Sequence, residues 1–307
     1  MSLVVGTAAL AVVTALACCL PGVFVVLRRS SMLVDAIGHA VLPGIVVGYL
    51  LTRDLDSPVL IIGAALAGLV VVLGAHWLSR TGLLTGDSPQ ALVFPALFSI
   101  GVILVSTRLA NVHLDTHAVL VGDLNLAAWD QLRVAGADLG PSYLAVMLGV
   151  LVVNALALWL LHPRLTAATI DHEHASCLGL RPTAVGTLFM FLLSLTVTAA
   201  FNAAGAILVA ALVVVPPATG YLLSTTLRAM VALTAIIAAL GALAGFAVAY
   251  ALDAATSAGM AVLYGLMFLL VLTVRNMRRR RRRGAARSCY GVSEVRGRVG
   301  AGRGVGG

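Results

Sequence analysis

Nine apolar runs, each of roughly 17–25 residues, fill most of this chain, and one run of that length is what a helix needs to cross the hydrocarbon core of a bilayer. They lie at 3–27, 32–51, 59–78, 91–107, 143–161, 183–201, 203–223, 230–252 and 258–274. A composition that is 61% hydrophobic and 10% charged, with a mean hydropathy of +1.05, agrees, because soluble domains are far more polar. The fold class expected is an all-α membrane protein with about nine transmembrane helices. Only Asn202 separates the sixth run from the seventh, so that pair reads as a tight hairpin or as a broken, partly re-entrant segment. Pro216-Pro217 interrupts the seventh run.

Charge divides the chain in two. From Arg275 onward there are 11 Arg and one Glu, whereas residues 1–274 hold 9 Arg and 11 acids. The first 274 residues form the polytopic membrane domain; residues 275–307 are an Arg/Gly-rich tail, expected to be disordered and to lie near anionic lipid headgroups rather than nucleic acid. With nine spans, Arg28, Arg29, Arg80, Arg164, Arg181, Arg228 and the tail fall on one side, and Arg53, Arg108 and Arg133 on the other. The positive-inside rule makes the richer side cytoplasmic, which puts the N-terminus outside and the C-terminus inside. Asp54, Asp56, Asp115, Asp123, Asp130, Asp138 and Asp253 then make the outer side acidic, able to raise the local concentration of cations.

Lysine is absent from the whole sequence, and a nucleotide-binding P-loop needs one to hold the phosphates. If ATP drives this protein, another subunit binds it. The four cysteines form no C-x-x-C pair and read as reduced and structural. The first apolar run lacks a preceding basic region and is followed by Arg28-Arg29, the pattern of a first span rather than a cleaved leader.

Two ionisable residues interrupt the second run. Asp35 and His39 are four apart, so on a helix they stand on one face, a turn from each other. An ionisable group at that depth costs about 2.5–3.5 kcal/mol on insertion scales, so each is a candidate for function. Carboxylate plus imidazole suits a divalent transition metal. The same spacing allows a plainer reading, an Asp–His hydrogen bond that holds two helices together. Pro43-Gly44 just beyond weakens or kinks the helix.

Two further segments carry chemistry. In the outer stretch 111–141, His113, Asp115 and His117 share one face of an extended chain, a second and weaker metal set at the entrance. On the inner side, 163–182 carries Asp171, Glu173, Ala175 and Gly179 in a polar, helix-compatible segment that ends on a glycine suited to a helix C-terminus. As a short cytoplasmic helix it is a docking element for a soluble partner. His172 and His174 are two apart and point away from each other on a helix; the segment is not H-E-x-x-H, so an intramembrane metalloprotease lacks its motif.

The stretch from Val25 to Gly44 resembles the Arg-Arg…Asp-x-x-x-His-x-x-x-Pro-Gly signature of the integral-membrane permeases of ABC importers for zinc, manganese and iron. Asp87, Asp115…Gly122-Asp123, Asp171-x-Glu173-x-Ala175…Gly179, Gly205-Ala-Ile-Leu208 and Pro216-x-Ala218-Thr219 follow in that family's order, as far as about Val274. Val34, Pro217 and Gly220 depart from the pattern, and His117 is not part of it. The resemblance implies the helical fold shared with vitamin B12 and siderophore permeases, in a bacterial cell membrane. It implies a transport subunit with no catalysis of its own and no permanent cofactor, the transported ion being Mn²⁺, Zn²⁺ or Fe²⁺. Asp35 and His39 would contact the metal on its path, and residues 171–179 would seat in the ATPase. The partners implied are an ABC ATP-binding subunit, an extracytoplasmic metal-binding protein, and a second permease, either a copy or a paralogue. A proton-coupled metal exporter and a permease for a metal chelate such as a siderophore are the alternatives; a bulky chelate has no need of bare Asp–His ligands on its path.

Overall fold

The computed structural model describes residues 3–54, 57, 59–84, 88–108, 124–129, 131–134 and 137–301. Its elements in order are α1 (Leu3–Leu27), α2 (Met32–Thr52), α3 (Val59–Arg80), α4 (Ser88–Arg108), the single turn α5 (Leu124–Ala127), β1 (Gln131–Val134), β2 (Ala137–Pro141), α6 (Ser142–Ile170), α7 (His172–Cys177), α8 (Pro182–Leu223), α9 (Leu227–Ala251) and α10 (Thr256–Ala301). Among the described residues, eight helices are long and apolar enough to cross a membrane. The chain divides into two compact units, Met1–Gly265 and Leu266–Gly307.

In the first unit α1 is the central post. It is apolar all round and is buried along most of its length, the pattern of a helix with neighbours on every side. Those neighbours are α6, α8 and α9. One polar node ties three of the helices: the Asn154 amide of α6 donates to the Ala17 carbonyl of α1 and to Thr196 Oγ1 of α8, each at 2.9 Å. Hydrogen bonds of this kind between membrane helices contribute about 0.6 kcal/mol on average and up to about 1.7 kcal/mol.

α8 resolves the question left open around Asn202. Its 42 residues would stretch about 63 Å as a straight helix, twice the thickness of a bilayer core. They do not run straight, because Gly205 breaks the helix at φ 76° and ψ 167°. The Arg28 end of α1 meets Pro182 and Thr183 at the start of α8 across one cavity. It meets Tyr221 and Ser224 at the far end of α8 across another, with Leu27 and Thr169 lining both. Both ends of α8 therefore lie at the same end of the bundle, and the chain doubles back at Gly205. The limbs, about 35 Å and 28 Å long, are each about as long as one crossing, so among the described residues the eight helices offer nine lengths that could span a membrane. The hairpin reading holds, with its corner at Gly205 and not at Asn202.

The second limb contains Pro216 and Pro217 without unravelling. Proline has no N–H, so Pro217 leaves the Val213 carbonyl without its helical donor. Gly22 of α1 packs directly on that carbonyl, where a Cβ would overlap it. β1 and β2 form a small antiparallel hairpin, with Arg133 opposite Asp138, that the periodicity of the outer segment does not announce.

The second unit, Leu266–Gly307, is helical to Ala301.

Candidate functional site

The site is built on α2. Its glycines let α3 approach closely: a Cβ on Gly44 would overlap the backbone of Gly63 and Ala64. Phe201 of α8 fills the space over Gly38, and Gly101 of α4 packs against Pro43. These three neighbours hold α2 on three sides and leave one face uncovered. Asp35 and His39 stand on it, with Nε2 of His39 3.7 Å from Oδ1 of Asp35.

That distance is too long for a hydrogen bond, and both groups belong to one helix. The pair does not join two helices, so the plainer reading of the spacing does not describe this geometry. Asp35 keeps 66% of its side chain exposed and His39 36%. An ion with bonds of about 2.1 Å to each could touch atoms up to about 4.2 Å apart, so both donors are within reach of one ion where they stand. Pro43 has no N–H to give to the His39 carbonyl four residues before it, so that oxygen lacks its helical donor.

Sequence reasoning missed the residues that hold the imidazole. Phe94 of α4 stacks on the His39 ring, with centroids 5.3 Å apart and planes at 20°, and Phe98 meets it edge-on at 5.7 Å and 76°. The signal was present, since two aromatics at i and i+4 share a helix face, but nothing local says which helix that face meets. Together the rings fix the plane of the imidazole and wall it on the α4 side.

Among the described residues no three His, Cys, Asp or Glu side chains cluster as a metal site, so α2 offers two side-chain ligands from this chain. His113, Asp115 and His117 lie outside the described residues. The segment 171–179 forms the short helix α7 and its exit turn. Leu180 N–H donates to the Ala175 carbonyl and Gly179 N–H to Ser176, with Gly179 at φ 71°; this is the paired closure that needs a left-handed residue just past the helix. Asp171, Glu173 and Gly179 are exposed, while Ala175 is fully buried and anchors the turn to its own chain.

Comparison with known proteins adds identity to this geometry. Residues 2–275 match the model of the ABC 3 transport family. Over 207 residues the chain is 45% identical to the zinc transport system membrane protein TroD of Treponema pallidum, a match covering 67% of this chain and only 56% of TroD. Over 224 residues it is 39% identical to the manganese transport system membrane protein MntD of Bacillus subtilis, covering 73% and 76% of the two chains. The fold is similar to that in the structure of PsaBC from Streptococcus pneumoniae in complex with Fab, with a TM-score of 0.72, 23% identity, and 88% and 91% of the two chains covered.

Proposed function

The chain belongs to the ABC 3 transport family, and from that premise we propose that it is the membrane permease of an ATP-driven importer of divalent transition metal ions. The observation that carries the reading is the Asp35–His39 pair, two ligand groups 3.7 Å apart on the uncovered face of a membrane helix. Two ligands do not complete a tetrahedral shell, which suits a path formed with a second permease, a copy or a paralogue, or with waters kept on the ion. Relatives named for zinc and for manganese fit a donor set that accepts either ion, and iron as well.

The work of ATP falls to a separate subunit, because this lysine-free chain has no P-loop of its own. Asp171, Glu173 and the turn closed by Gly179 supply an exposed inner surface on which that subunit would seat. The excess of arginines on this side supports a cytoplasmic position for the surface, with the N-terminus outside and the C-terminus inside. A metal-loaded binding protein would deliver the ion from the outer side.

The test is uptake of radioactive zinc, manganese and iron by the reconstituted complex with Asp35→Asn and His39→Gln. Each substitution keeps polarity and approximate size. If the pair carries the ion, each variant assembles normally and loses uptake, and the double variant is no worse than either single one. Near-normal uptake by Asp35→Asn overturns the reading.

A further inference from the structure

A second polar region of the first unit lies away from the Asp35–His39 face. At the Arg28 end of the bundle a cavity of about 420 Å³ opens between α1, α2, α3, α4, α6 and α8, a volume in the range of small-ligand sites. Leu33 lines it, two residues from Asp35 and so on the other side of α2. The charge on its described walls is of one sign. Arg28, Arg29 and His76 border it with the hydroxyls of Ser30, Thr183 and Thr187, and no described lining residue is acidic.

Arg28 is fixed as a binding group would be. Its Nε donates to Thr169 Oγ1 at 3.1 Å, and that hydroxyl spends its own hydrogen on the Leu165 carbonyl at 2.6 Å. Its guanidinium carbon lies 5.0 Å from the centroid of the Phe189 ring. Nη1 lies beside Gly186, another lining residue, so the forked end borders the cavity. No ion pair joins Arg28 or Arg29 to a carboxylate among the described residues. Across the cavity, the Gln90 amide oxygen is buried without a hydrogen-bond partner; turning that amide over would offer N–H donors instead. A held guanidinium with no counter-ion among the described residues, beside a second arginine, is the chemistry of a phosphate site.

We propose that this cavity binds a phosphate group, and that its source is an anionic phospholipid. The level of the cavity favours lipid, since it begins where the apolar run of α1 ends. Trp77, next to His76, is 71% exposed, as an aromatic at a membrane interface would be. Ile62, Leu66, Val70 and Leu73 form an exposed stripe along α3 that ends at the cavity wall, a bed for an acyl chain.

The test is native mass spectrometry of the full chain released from nanodiscs of phosphatidylcholine, with or without phosphatidylglycerol. One tightly held phosphatidylglycerol per chain is expected, with occupancy reduced at least tenfold by Arg28→Gln and by Thr187→Glu. Thr187 is exposed on the cavity wall, so that variant leaves the packing intact should Arg28→Gln fold poorly. The arginine-rich tail is the same in all three proteins, so lipid held there cancels in the comparison. Inorganic phosphate is the second probe: if it binds in phosphatidylcholine alone, displaces the phosphatidylglycerol and responds to the same substitutions, the site stands and its ligand is a soluble phosphate. Equal retention of both probes by the wild type and both variants overturns the proposal.

Discussion

Gly205→Ala puts the corner of α8 to a quantitative test. At φ 76° and ψ 167° the residue sits in a region that L side chains avoid, and holding one there costs about 1–3 kcal/mol. The control is the same chemical change at Gly149 in α6, an exposed helical position where a Cβ meets nothing within 4 Å. There alanine stabilises the helix by about 0.5–1 kcal/mol. The two variants should therefore move in opposite directions and differ by about 1.5–4 kcal/mol, roughly 10- to 700-fold in the ratio of folded to unfolded protein. The native cysteines provide the assay. Cys18 and Cys19 are fully buried in α1 and react with a thiol-sensitive dye only when the bundle opens, while exposed Cys177 reacts at once and sets the baseline. On heating in detergent, the Gly205→Ala midpoint should fall below wild type and that of Gly149→Ala should match or exceed it. A Gly205→Ala midpoint that rises together with Gly149→Ala would refute the strained corner.

Three other outcomes follow from the same geometry. In a background without native cysteines, Cys at Ser57 or Ala255 should label from outside intact cells with an impermeant reagent, and Cys at Thr225 should not; outside labelling at Thr225 contradicts the orientation. Glu173→Arg and Gly179→Pro should abolish stimulation of the ATPase by loaded binding protein while metal still binds at Asp35–His39, and normal stimulation in both variants moves the contact elsewhere. Phe94→Ala removes the ring stacked on His39, and a loss of about 0.5–1.5 kcal/mol should raise the KM for metal uptake roughly 2- to 13-fold, with Phe94→Tyr close to wild type; an unchanged KM in Phe94→Ala shows that the ring does not position the ligand.

What could be read from the sequence by itself is what depends on neighbours along the chain. The spans were legible because each is a local apolar run, and a backbone in lipid must pair its own hydrogen bonds. Asp35 and His39 share a face because four residues make about one helical turn, and Gly179 closes α7 because glycine takes a left-handed φ at no steric cost. Tertiary structure decided everything that needed a distant partner. Nothing near Asn202 says that the corner falls at Gly205, because both limbs are equally apolar and only their packing on α1 brings the two ends of α8 together. Asp35 is accessible because α3, α4 and α8 cover the other sides of α2, and His39 is held by rings 55 and 59 residues away in sequence. Arg28 meets Thr169 from 141 residues away, and that contact turns a topology signal into the wall of a cavity. Local periodicity sets which face of a helix a residue occupies; only the packed bundle sets what that face meets.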